Sequence, residues 1–199
     1  MTTEPAPTDL TRRPRDLVRE LTGFVPEEVV AGHCADLLAG ADPAVYGWLL
    51  PWLAGAPGAR YPTGWAEHWP RVWAARGLLY VWADAASPAV AAGVRDPAWR
   101  VAEMCLKVAR RHDLPVADDA VGLLDHELPR VRVAAARALA TCGDTEHVTA
   151  VRSAGDADPD EAVRRAAARA LHDLVRRLDL PGGVAGDDRR DGGSRGGSA

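Results

Sequence analysis

The chain has 199 residues, 47% of them hydrophobic and 26% charged, with a net charge of -4. That suffices for one domain with a sizeable core, and the mild acidity disfavours a dedicated nucleic-acid binder, whose affinity rests on excess cation. Three well-separated cysteines, Cys34, Cys105 and Cys142, show no Cys-x-x-Cys or paired His/Cys spacing, so a structural zinc site is not expected and reduced thiols in a cytoplasmic location are.

Residues 1–13 are polar, carry Pro5 and Pro7, lack the apolar core of a secretory signal, and read as a flexible arm. Pro14 can open a helix over 15–21 and Pro26 another over 27–39, stopped by Gly40. Asp42 and Pro43 make a good start for a third helix through residue 53, which Pro51 should kink or end. Residues 54–64, with Pro57, Gly58, Pro62 and Gly64, read as a loop. A longer helix is expected over 70–85, and Ser87-Pro88 opens the next. Asp96-Pro97 begins a helix to residue 111. Then come two pairs, 116–125 with 129–140 and 145–153 with 160–178. No run has the period of a β-strand. The tail 181–199, built largely of Gly, Ser, Asp and Arg, reads as disordered. No apolar run approaches the ~20 residues of a membrane span.

One phrase recurs near the C-terminal end. Val131-Arg132-Val133-Ala134-Ala135-Ala136-Arg137-Ala138-Leu139 returns 32 residues later as Val163-Arg164-Arg165-Ala166-Ala167-Ala168-Arg169-Ala170-Leu171. The apolar positions fall at i, i+3, i+4, i+7 and i+8, one face of an α-helix. A repeat of this length predicts an all-α fold: an α-solenoid of stacked antiparallel helix pairs, each closing the apolar face of its neighbour. The domain should span 14–180, with a divergent Trp-rich part at 14–85 and clear repeats at 86–180. The earlier unit, 96–106, fits a 33-residue offset best. That offset places Val101, Ala102, Cys105 and Leu106 on the stripe, leaves Glu103 and Lys107 as an exposed pair, and sets Trp99 at the rim in the place of Arg132.

These units resemble HEAT repeats, in particular the short bacterial kind also found in the phycobilin-lyase-like group. Asp96-Pro97, Pro129-Arg130-Val131-Arg132 with the 134–139 run, and Asp158-Pro159 with the 162–171 run carry the resemblance. It implies a HEAT/armadillo-like superhelix. It also implies ion pairing between adjacent repeats, giving Asp96, Arg132, Asp158 and Arg164 structural roles. In such a stack, residues of the second helices off the apolar stripe line the concave face. Arg137 and Arg169 occupy equivalent positions there, with Arg130, Arg165, Arg176 and Lys107 near them, forming a basic strip for an acidic protein segment or a phosphate backbone. Seven tryptophans, six of them before residue 83, are either packing elements or an aromatic patch, with Trp73, Trp82 and Trp99 as candidate contacts.

The expected function is therefore a non-catalytic protein-binding scaffold or adaptor, with no cofactor, no metal and no membrane contact. A nucleic-acid role is the alternative. HEAT-like DNA alkylpurine glycosylases also use Trp, Asp and Arg on a helical surface. Trp69, Trp73, Trp82 and Trp99, with Asp84 or Asp96, supply similar residue types, but no motif transfers position by position. A single His126-Glu127 pair falls short of the several pairs that hold iron in HEAT-type deoxyhypusine hydroxylases.

Overall fold

Proline and acidic residues set where the helices begin. In the computed structural model, which describes residues 4–181, the elements are α1 (Pro14–Leu21), α2 (Glu27–Leu38), α3 (Leu50–Ala54), α4 (Ala56–Ala59), α5 (Trp69–Gly77), α6 (Ser87–Gly93), α7 (Trp99–His112), α8 (Ala117–Gly122), α9 (Pro129–Cys142), α10 (Val148–Ala157) and α11 (Glu161–Arg177). Short 3-10 turns precede α6 and α10 and follow α8. Proline occupies the first turn of α1, α3, α4, α5, α6 and α9, where its missing N–H costs nothing. Among the described residues there is no strand, and no helix is long and apolar enough to cross a membrane.

The helices form two layers. α5, α7, α9 and α11 stack side by side; α2 covers α5, α6 covers α7, α8 covers α9 and α10 covers α11. The seam between layers is apolar and alanine-rich. Val131, Ala135, Ala136, Ala138 and Leu139 are fully buried on α9, and Val163, Ala167 and Leu174 on α11. Each buried Val or Leu contributes roughly 1.5–3 kcal/mol before chain entropy is subtracted. Leu171, which repeats Leu139, is only half-buried. α11 has α9 on one side and no further helix pair on the other among the described residues, so the outer half of its stripe stays open.

The unit before the repeated phrase is registered at 30 residues, neither 32 nor 33. α7 starts at Trp99 and α9 at Pro129. The turn before each second helix is closed by one side chain that accepts a backbone N–H two residues on. Asp96 accepts from Ala98 at 2.8 Å, His126 from Leu128 at 3.0 Å, and Asp158 from Asp160 at 2.8 Å. His126 thus stands where the other units have Asp. Val101, Cys105, Leu106, Val108 and Ala109 then superpose on Val131, Ala135, Ala136, Ala138 and Leu139, all buried. Glu103, expected to be exposed, is 6% exposed as a consequence. Lys107 at 2.8 Å and Arg130 at 3.0 Å hold its carboxylate.

Arginines link one unit to the next. Arg132 reaches forward with a bidentate pair to Asp158, at 2.7 and 2.8 Å, and back to the carbonyls of His126 and Glu127. Arg71 of α5 holds Asp96 in the same forward sense, at 2.8 and 3.3 Å. Arg164 repeats the backward half alone, donating to the carbonyls of Asp158 and Pro159.

The N-terminal part departs most from expectation. Residues 43–49 form successive tight turns, and Pro51 opens α3 instead of ending a longer helix. The loop expected at 54–64 contains α4. α5 stops at Gly77, where a Cβ would lie 2.9 Å from both Cys34 Sγ and Leu53 Cδ2. The described residues of the expected arm dock against α3. The fully buried Trp52 donates its Nε1–H to the Pro5 carbonyl at 3.0 Å, and Leu10 accepts from the Ala56 N–H. Gly55 is essential to that approach: its φ is +66°, and a Cβ would lie 2.5 Å from the Leu10 oxygen. The tail at 182–199 lies outside the described residues.

The Arg132–Asp158 pair sets a measurable stability term. Its side chains are 10% and 6% exposed, so truncating one partner strands a buried charge. Arg132→Ala is expected to lower unfolding free energy by about 3 kcal/mol in urea titration. The hydrogen bonds from Arg132, then that from the Asp160 N–H, hold the Asp158 carboxyl below its ordinary range despite burial. A depressed folded pKa contributes stability above the unfolded value of about 3.9, and that contribution fades as pH falls through the lower folded value. The urea midpoint should therefore drop on acidification below about pH 4, with a shallower drop in Asp158→Asn.

Candidate functional site

Charge is sorted by layer, which the near-neutral total conceals. Among the helices, α5 carries two, α7 four, α9 three and α11 five Arg or Lys residues, against Glu103, Glu161 and Asp173. The covering helices are the reverse. Glu27, Glu28 and Asp36 lie on α2, Asp118 and Asp119 on α8, and Asp156 on α10, with Arg152 the one cation. The repeat explains this: helices related by 30 or 32 residues present equivalent positions to the same face.

Registers of 30 and 32 make Lys107, Arg137 and Arg169 equivalent on α7, α9 and α11, and all three are exposed. They line a groove across the second helices. Between α7, α9 and the start of α11 it opens to about 510 Å³, lined by Glu103, Lys107, Arg110, Arg130, Arg137 and Asp160 among others. It narrows to about 120 Å³ where Arg110, Arg137, Arg169 and Asp173 converge. Leu106, Val133, Ala134 and Ala162 line the wide part and Ala140, Ala166 and Ala170 the narrow part, so apolar side chains lie beneath the charged ones. Arg110, Arg137 and Arg169 make no ion pair among the described residues, whereas Lys107 and Arg130 share Glu103.

Three of the five candidate arginines, Arg130, Arg137 and Arg169, meet in this groove together with Lys107, and Arg176 lines neither section. Arg165 instead forms an exposed pair with Glu161, 2.8 Å away on its own helix, and lines neither section. Arg110 lines both sections and belongs to the site. Its position is matched by Ala140 on α9, so no repeated arginine marked it. Lys107 became equivalent to Arg137 only in the 30-residue register.

The tryptophans do not gather into one patch. Trp99 is half-buried, with the guanidinium of Arg100 4.2 Å and that of Arg130 4.7 Å from its ring centroid. Arg100 also sits 5.4 Å from the Trp69 ring, so Trp69, Arg100, Trp99 and Arg130 form a ladder across α5, α7 and α9. Trp99 thus borders the groove through Arg130. Trp73 is 2% exposed and packs edge-on against Tyr61 and at a steep angle against Trp65; it is core, not a partner contact. Trp82 stacks flat on His112, centroids 3.8 Å apart, and donates its Nε1–H to Asp84 at 3.0 Å. It follows α5 and does not line the groove. Burial lowers the His112 pKa more than the Leu78 carbonyl raises it, which favours a neutral ring beneath Trp82.

Burial pushes the Cys34 thiol up to about 12 and Cys105 higher still, so neither supplies a thiolate at neutral pH. Asp84 is engaged by Trp82, and Asp96 by Arg71 and its own turn. Among the described residues, no cluster of three or more His, Cys, Asp or Glu could hold a metal ion.

Residues 117–181, covering α8 to α11, match the family described as HEAT repeats. No curated protein and no solved structure matches the chain.

The Trp99 stack yields a local prediction. Trp99→Ala removes two cation–π contacts at a half-exposed site, each worth roughly 0.5–1 kcal/mol. The expected outcome is a loss of about 1–2 kcal/mol in chemical denaturation with helix content by circular dichroism unchanged. Trp99→Phe should restore part of it.

Proposed function

The chain carries HEAT repeats over residues 117–181, and from that premise we propose that it is a non-catalytic scaffold or adaptor that binds a protein partner on the face of its second helices. The observation that supports this reading is the layer-sorted charge with three unpaired cations in one groove. Arg110, Arg137 and Arg169 stay without counterions while most other cations of that layer are engaged. A protein gains no stability from grouping like charges on one face, so an external anionic group is the natural complement. HEAT arrays commonly serve as interaction scaffolds, which agrees with a groove lined by exposed charged heads over apolar side chains.

Nucleic acid is the second reading, favoured by the same cations. It requires affinity that falls steeply with salt, with a log–log slope near -0.9 per phosphate contacted in duplex DNA.

The double variant Arg137→Glu/Arg169→Glu separates outcomes. Affinity capture from the source lysate with chemical cross-linking should retain a protein whose cross-links cluster on α7, α9 and α11. The double variant should lose it while keeping the wild-type melting temperature within a few degrees. Undiminished capture, or cross-links concentrated on α8 and α10, would overturn the reading. Tight, salt-sensitive duplex binding abolished by the same variant would establish the nucleic-acid role instead.

A further inference from the structure

We infer that the groove takes an acidic protein segment in extended conformation, running across α7, α9 and α11 with its carboxylates three residues apart. The inference rests on the proposed protein-binding role and specifies the ligand.

Spacing is the first argument. Packed helices lie about 8–10 Å apart, so Lys107, Arg137 and Arg169 repeat at about that interval. An extended chain of the polyproline II kind advances about 3.1 Å per residue with three residues per turn, so positions i, i+3 and i+6 share one face at intervals of about 9 Å. Carboxylates at i, i+3 and i+6 therefore meet successive cations. Width is the second argument. The groove narrows from about 510 Å³ to about 120 Å³ where Arg110, Arg137 and Arg169 converge. A slender extended chain suits that narrowing better than a helix, which is about 10–12 Å across with its side chains.

Charge is the third argument, and it selects peptide over nucleic acid. Asp160 and Asp173 line the groove beside the cations. Asp160 accepts the Ala162 and Val163 N–H groups at the start of α11, and Asp173 has no ion-pair partner among the described residues. A continuous phosphate backbone would face these carboxylates directly. A segment with two neutral residues between acidic ones offers them backbone N–H donors instead. At the α7 end Glu103 is already neutralised by Lys107 and Arg130, so it does not repel an entering acid.

The test uses fluorescence anisotropy with the full chain and dye-labelled probes: a 12-residue peptide with Asp at every third position and Ser or Pro between, a peptide of the same composition with its Asp residues contiguous, and a 12-nucleotide oligo-dT. The periodic peptide should bind about ten-fold tighter than the contiguous one, about 1.4 kcal/mol. Lys107→Ala, Arg137→Ala and Arg169→Ala should each weaken it about three-fold, near the upper range for exposed ion pairs. Arg165→Ala, outside the groove, should leave it unchanged. Equal binding of the two peptides, tighter binding of the oligonucleotide, or an Arg165→Ala effect as large as that of Arg137→Ala would overturn the inference. Should the periodic peptide fail while Arg137→Glu/Arg169→Glu still releases the captured partner, the docking face stands and the extended acidic ligand does not. Thermal melts of each variant confirm folding.

Discussion

Each helix pair in this chain leaves an apolar stripe that its own two helices cannot cover, and the next pair must close it. The stripes of α7, α9 and α11 are therefore edges of one continuous seam. Alanine dominates that seam because the second helices must approach one another closely. The guanidinium bridges reinforce the same geometry. Arg132 ties its own turn and the following one together, so a unit cannot rotate without breaking a bidentate pair. At the C-terminal end, where no further pair follows among the described residues, Arg164 keeps just the backward contacts and Leu171 is left half-buried.

Stacking in fixed register has an electrostatic consequence. A side chain that points away from the seam on one second helix has its equivalent beside it on the next. Cations at such positions become a row, and acids on the covering helices become a separate row. The total of -4 thus conceals a basic face on the second helices, balanced by acids on the covering helices and in the turns and termini. Net charge alone disfavours an anionic ligand; the layer assignment reverses that argument for one face. Some cations are absorbed by the architecture. Arg177 donates to carbonyls at the end of α9, Arg71 and Arg132 hold aspartates, and Arg100 lies between tryptophan rings. Of those left over, Arg110, Arg137 and Arg169 line the groove.

The sequence made the last two helix pairs legible because their repeat preserves composition as well as period: the 131–139 run and its copy share eight identical residues in nine. The unit before them was misregistered because its apolar residues fit one helical face at several offsets. The decisive signal was the turn, not the stripe. His126 plays the part of Asp96 and Asp158, and a histidine accepting through Nδ1 does not announce itself as their equivalent. The expectation that Glu103 lies outside followed from the cost of burying an unpaired charge. Two cations from neighbouring turns meet that cost, one of them, Arg130, 27 residues away.

The N-terminal part was least legible because its packing is set by long-range contacts of large rings. Trp52 is satisfied by a carbonyl 47 residues earlier, which turns a polar arm into part of the wall. The buried Trp73 packs with the half-buried Trp65 and Tyr61, so of the two readings of the tryptophans, packing elements or surface patch, these rings follow the first. Trp99 alone connects this aromatic region to the groove. Its ring holds Arg100 on the side of Trp69 and Arg130 on the side of Glu103. Arg130 is thereby fixed at the mouth of the groove, while Arg137 and Arg169 further in are restrained by no such contact. A ligand entering past Arg130 meets first a preorganised cation already shared with Glu103, then free ones. The gain in ion pairing therefore falls at the inner positions, where the counterions are missing.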